Sequence, residues 1–151
     1  MNPEIKVVPD AIFHSQRVTH VGLVTKDFER MFDYYTDIIG LPAIAGDRRA
    51  AYAVLRGTAG EGDVTLLRQR GNLEPGLHHV GLQVADEADL EQALPKLAAR
   101  GIAVERDIDH PARRAVTIRD SSGIGLQFFV NRDWKPETIA TISADDAPYA
   151  L

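Results

Sequence analysis

Leu77-His78-His79-Val80-Gly81-Leu82-Gln83-Val84 is an extended apolar run carrying two adjacent histidines. Its His-Val-Gly-Leu core occurs once before, within Val18-Thr19-His20-Val21-Gly22-Leu23-Val24. The two copies lie 59 residues apart (79 minus 20). In a chain of 151 residues, self-similarity at that spacing signals two copies of one supersecondary unit.

Working outward from each copy gives the same order of elements twice. Arg17 to Val24 reads as a β-branched-rich strand, and Asp27 is a helix N-cap. Phe28, Met31, Phe32, Tyr35 and Ile38 or Ile39 recur at the spacing of one helical face. Gly40 supplies the stop and Pro42 forbids continuation. Three short extended runs follow, Leu41 to Ala45, Ala50 to Arg56 and Asp63 to Arg68. After the turn-rich linker Gly71 to Gly76 the pattern restarts with a strand from His78 to Val84. A helix over Ala88 to Arg100 follows; Pro95 inside it predicts a bend or a late start. Extended runs over Ile102 to Arg106, Ala115 to Arg119 and Gly125 to Val130 complete the second unit.

The fold class read from this order is α+β: two paired βαβββ modules, residues 17–70 and 76–131, in a single domain. Residues 1–16 form a leading arm, and 132–151 a polar tail with Trp134 that packs across the body. Neither module has enough apolar surface to stand alone, so pairing them face to face, as curved mixed sheets, leaves a ligand cleft between them.

Composition narrows the function classes. A net charge of −5 and the lack of any Lys/Arg cluster beyond the pairs Arg48-Arg49 and Arg113-Arg114 argue against a nucleic-acid partner. With no cysteine, thiolate metal sites and thiol nucleophiles are excluded. The start of the chain lacks the apolar core of a signal peptide, and there is no 18-residue apolar span. The expectation is a cytoplasmic protein with a small-molecule substrate and no membrane partner.

Two-fold repetition would set His20 and His79 at equivalent places on equivalent strands, both converging on the cleft. Two imidazoles and an oxygen donor can hold a divalent metal with positions open for substrate. On the last strand of the second module that donor is Gln127, and its first-module counterpart is Thr65. Each residue has a plainer reading: a hydrogen-bonded strand histidine for His20 and His79, and a cross-strand polar residue for Gln127. His78 alternates to the other face of the strand. His110, in the polar stretch Asp107 to Pro111, is either a general acid/base or an exposed loop histidine.

The doubled βαβββ order, the His-Val-Gly-Leu strands, the Gly40-Leu41-Pro42 helix end and Asp120-Ser121-Ser122-Gly123 leading to Gln127 resemble the vicinal oxygen chelate superfamily. That group includes glyoxalase I, bleomycin-resistance proteins, an epimerase and the type I extradiol dioxygenases. Leu77-His78-His79, with Arg30-Met31 and Tyr34-Tyr35 on the first helix, is most similar to one catalytic domain of an extradiol dioxygenase. The resemblance implies His20, His79 and Gln127 as metal ligands, Fe(II) or Mn(II) as the metal, otherwise Zn(II) or Ni(II) or none, His110 as the acid/base, and a homodimer. Two positions depart from the pattern. A glutamate ligand is replaced by Gln127, and a tyrosine near the site by Thr117. An amide donor weakens metal affinity and leaves any bound metal more electrophilic, favouring an anionic chelator. The alternatives are a metal-free binding protein of the resistance type and a glyoxalase- or epimerase-like isomerase.

Overall fold

The computed structural model describes residues 4–151, so Met1 to Pro3 of the expected arm lie outside the described residues. β1 (Ser15–Thr25) leads into α1 (Phe28–Asp33), which widens into a π-helical turn over Tyr34–Ile38. β2 (Ala43–Gly46), β3 (Tyr52–Arg56) and β4 (Asp63–Arg68) complete the first module. The second comprises β5 (Gly76–Val84), α2 (Glu87–Ala99), β6 (Arg106–His110), β7 (Arg113–Arg119) and β8 (Gly125–Asn131). Two one-turn helices, α3 (Pro136–Ile139) and α4 (Ala147–Ala150), close the chain.

The eight strands form one continuous sheet in the order β2-β3-β4-β1-β5-β8-β7-β6. The modules therefore join edge to edge through the antiparallel pair β1–β5, rather than face to face as expected. Joining the two units this way covers the inner edge of each four-stranded half. Repeat symmetry is visible in the register. β1 pairs β4 in parallel, with Gly22 beside Thr65, and β5 pairs β8 in parallel, with Gly81 beside Gln127. Thr65 and Gln127 are thus true counterparts.

Several local expectations are corrected. Asp27 caps α1 by accepting from the Arg30 N–H, and Phe28 is buried, as the pattern requires. The apolar face does not run on to Ile38 and Ile39, however, which are 68% and 50% exposed. The π turn, closed by Ile39 N–H to the Tyr34 carbonyl, shifts the following residues around the axis. α2 starts one residue earlier than read, capped by Asp86, and carries Pro95 in its interior. The extended run placed at Ile102 to Arg106 instead begins where that reading ended, so Asp107 to His110 is an edge strand and not a loop. Asp107 and Asp109 face outward, Arg106 and His110 are half-buried, and only Ile108 enters the core, a pattern edge strands tolerate.

The tail belongs to the core. Ile139, Ile142, Ala147, Ala150 and Leu151 are buried in one cluster with Val24, Tyr52, Ala115 and Phe129, drawn from both modules.

Candidate metal centre

The register explains the repeated His-x-Gly. In the β1–β5 pair, His20 lies opposite Gly81 and Gly22 opposite His79. A Cβ built on Gly81 would overlap the His20 ring, and one on Gly22 would overlap the His79 ring. Each copy of the motif therefore supplies one imidazole and the empty space that the other copy's imidazole needs. The rings meet edge to face with centroids 5.4 Å apart. Both residues are buried, at 4% and 1% exposure.

Each ring is held through Nδ1. The Thr19 hydroxyl donates to the Gly81 carbonyl (3.5 Å) and lies 2.8 Å from His20 Nδ1. With the hydroxyl proton on the Gly81 carbonyl, Thr19 accepts from His20 Nδ1–H and Nε2 carries the lone pair; that is the tautomer a metal ligand requires. His79 Nδ1 is 2.8 Å from His78 Nδ1, so His78, read as facing away, in fact touches its neighbour through the ring nitrogens. Nε2 of both His20 and His79 is buried and has no hydrogen-bond partner among the described residues. Buried ring nitrogens are normally paired. His78 Nε2 and Trp134 Nε1 are also buried without a partner among the described residues, but only His20 and His79 present theirs from facing rings, with the Gln127 side chain and the Leu151 main chain approaching them; that pair is the candidate place for a ligand. Both rings are held neutral at pH 7. Burial, aided by the Arg113 charge and by His79, pushes His20 well below its ordinary value. Burial and His78 take His79 down to about 3.

Gln127 is fully buried one strand from Gly81. Its Oε1 accepts from Arg113 Nη1 (3.2 Å) and its Nε2 donates to the Tyr149 carbonyl (2.9 Å). Thr65 donates to the Leu151 carbonyl at 3.2 Å. The tail thus lies across the cleft, its main-chain oxygens answering the site's polar side chains. The structure sets His20 against His79 and brings the Gln127 side chain up to His20. It does not bring His110, whose Nδ1 accepts from the Ala112 N–H and whose Nε2 pairs with the Thr141 hydroxyl.

Sequence reasoning missed Arg113, taken only as half of a basic pair. It is 2% exposed and lies between the Phe129 and Trp134 rings, 4.0 and 3.6 Å from their centroids. Burial lowers its guanidinium to about 9. It shares with His20 a pocket of about 210 Å³. The carboxylate nearest His20 in the sheet register, Asp63, is held in two contacts by Arg56 (2.6 and 2.9 Å). Among the described residues no three His, Asp or Glu side chains cluster as a metal site. The donor set that fits is two neutral imidazoles and one amide oxygen, which suits a borderline divalent metal.

Two βαβββ units sharing one curled sheet, with a histidine from each in a common cleft, define a duplicated-module protein with a two-histidine centre. The profile of the Glyoxalase/Bleomycin resistance protein/Dioxygenase superfamily matches residues 17–128, and the chain belongs to that superfamily. It is 26% identical over 123 residues to the catechol-2,3-dioxygenase of Bacillus subtilis (strain 168), a match covering 76% of this chain and 42% of that protein. Similar solved structures include homoprotocatechuate 2,3-dioxygenase from Brevibacterium fuscum in complex with 3,4-dihydroxyphenylacetate. There the identity is 20%, the TM-score 0.66, and the match covers 78% of this chain and 37% of that one. The homoprotocatechuate 2,3-dioxygenase of Arthrobacter globiformis gives 18% identity and a TM-score of 0.66 over 87% of this chain and 39% of that one. The chain spans about two-fifths of the length of these relatives. No helix among the described residues is long and apolar enough to cross a membrane.

Proposed function

We propose that this chain is a metal-dependent enzyme of the vicinal oxygen chelate type, with extradiol cleavage of a small aromatic diol as its reaction. The observation that carries the metal is the pair of buried, unpartnered Nε2 atoms on His20 and His79. His20 and His79 would hold Fe(II) or Mn(II), with Gln127 Oε1 as the oxygen donor once Arg113 turns to another acceptor. When bound, the metal would draw a two-oxygen substrate into its open positions and lower the pKa of the coordinated hydroxyl. The chain's own part is to fix the imidazole tautomers through Thr19 and His78 and to exclude water with the tail. The name of the Bacillus relative supports the diol reading, and His110, tied to Ala112 and Thr141, is left without a role.

Metal-stripped protein titrated with Mn(II) or Fe(II) is expected to take up about one equivalent, since catalytic sites need near-stoichiometric occupancy. His20→Ala and His79→Ala should each abolish uptake. Oxygen consumption on adding a catechol to the Fe(II)-loaded protein tests the reaction. Uptake below about 0.1 equivalent would sink the proposal. A second reading, metal-free binding of an anionic ligand, is favoured by the buried cation beside the pair.

A further inference from the structure

The pocket beside His20 has an unmatched positive charge. Three arginines, Arg17, Arg56 and Arg113, line it with two carboxylates, Glu61 and Asp63. Arg56 is committed to Asp63, and Arg17 lies 3.9 Å from Glu61 at an exposed edge. Arg113, the most deeply buried of the three, hydrogen-bonds only neutral groups, and the one carboxylate whose charge reaches it, Asp63, is already paired with Arg56. Its Nε donates to Asn131 Oδ1 (2.9 Å), and its Nη1 to Gln127 Oε1 and the Ala150 carbonyl, both at 3.2 Å. Its Nη2 has no acceptor among the described residues. A buried guanidinium with no ion-pair partner of its own is expensive, and such a group in a cleft points to a ligand that brings an anion.

The metal donors have the same deficit. Two neutral imidazoles and an amide bring no negative charge, and of the three only His20 lines the pocket; a divalent cation held there would meet Arg113 through the Gln127 amide, with no anion between the two charges. A single small anion would relieve both. At about 210 Å³ the pocket falls below the usual range for drug-sized ligands, which selects a compact molecule. The planar fork of Arg113 suits a carboxylate. The Gln83 amide, also on the pocket wall, offers a neutral donor.

We propose that this pocket binds a small organic carboxylate with a second oxygen donor beside it, as in a 2-hydroxy acid. Its charge rests on Arg113 and its oxygens face His20, so that metal and anion bind the chain as a coupled pair. The coupling deepens the proposed metal function and rests on it; the anion site stands without it.

The test uses the full, metal-stripped chain. Mn(II) binding is followed by loss of the free-ion paramagnetic resonance signal with no addition, with salicylate, or with neutral salicylamide, after subtraction of protein-free controls. Salicylate binding without metal is followed by calorimetry. Salicylate is expected to tighten Mn(II) binding about tenfold, within the usual range for coupled sites, and salicylamide to leave it unchanged. Arg113→Gln should abolish both salicylate binding and the coupling. Gln127→Glu supplies the anion internally, so Mn(II) should bind more tightly without salicylate and the coupling should shrink; this variant carries the test if Arg113→Gln fails to fold by circular dichroism. Equal Mn(II) affinity with and without salicylate overturns the coupling and leaves the metal reading intact. Salicylate binding that needs Arg113, with no Mn(II) uptake under any condition, overturns the metal reading and supports the anion site. Binding of neither overturns both.

Discussion

At the scale of single residues, the interlocked His-x-Gly motifs make a measurable demand. Gly81→Ala should cost about 1–3 kcal/mol, the usual penalty for overpacking, because the new methyl meets the His20 ring. In a His20→Ala background most of that cost should vanish, a coupling readable from a double-mutant cycle of urea midpoints. Additive effects would mean that the ring does not lie over Gly81. A second expectation concerns acid. His79 titrates near 3 when folded against an ordinary 6.5, and His20 is shifted the same way. Between those limits the unfolded chain binds protons that the folded chain refuses, so stability falls as pH drops below about 6.5. Each such group contributes a slope of up to about 1.4 kcal/mol per pH unit. Thermal midpoints between pH 7 and 5 should fall for the wild type and more gently for His79→Gln; parallel curves would refute the assignment. The histidines were legible because a repeat singles them out. Arg113 was not, because an arginine in a short strand reads as surface until the neighbouring strands and the tail are known to cover it.

At the scale of elements, what the sequence reading placed well were the strands with apolar alternation, and β4 was placed to the residue. Where it slipped, local chemistry was overridden. The π turn after α1 breaks the 3.6-residue period without any signal in residue type, which is why Ile38 and Ile39 were assigned to a buried face they do not share. β6 was placed too early, over Ile102 to Arg106, because an edge strand needs only one inward side chain, here Ile108, and its polar residues resemble a loop. Pro95 removes an N–H from the middle of α2. Pro95→Ala should restore the bond to the Glu91 carbonyl and raise stability by about 1–3 kcal/mol, measured by chemical denaturation; no gain would mean that the ring's packing matters more than the lost bond.

At the scale of the whole molecule, the doubled module was readable from periodicity, but the part played by the last twenty residues was not. Their apolar positions are sparse and have no single period, and only the folded sheet shows that they pack against it. Ile139 is 1% exposed within the main cluster. Ile139→Ala should therefore cost about 2–5 kcal/mol, whereas Ile38→Ala on the π turn should stay within about 0.5. Equal losses at the two positions would contradict the assignment of the tail to the core. The same segment presents the carbonyls of Tyr149, Ala150 and Leu151 to Gln127, Arg113 and Thr65, so loosening it should disturb the pocket as well as the core.

The exchange of glycines across β1 and β5 also bears on inheritance. Each half of the gene encodes a histidine that fits only because the other half encodes a glycine. Drift at Gly22 would be felt at His79, and drift at Gly81 at His20, although each pair is separated in sequence by more than the length of a module. A hybrid that takes one half from a relative keeps a working pair only if both donors retained the glycine as well as the histidine. The halves of such a duplication can diverge in their loops, their helices and the strand position held by Thr65 in one and Gln127 in the other, while those four positions descend as one unit.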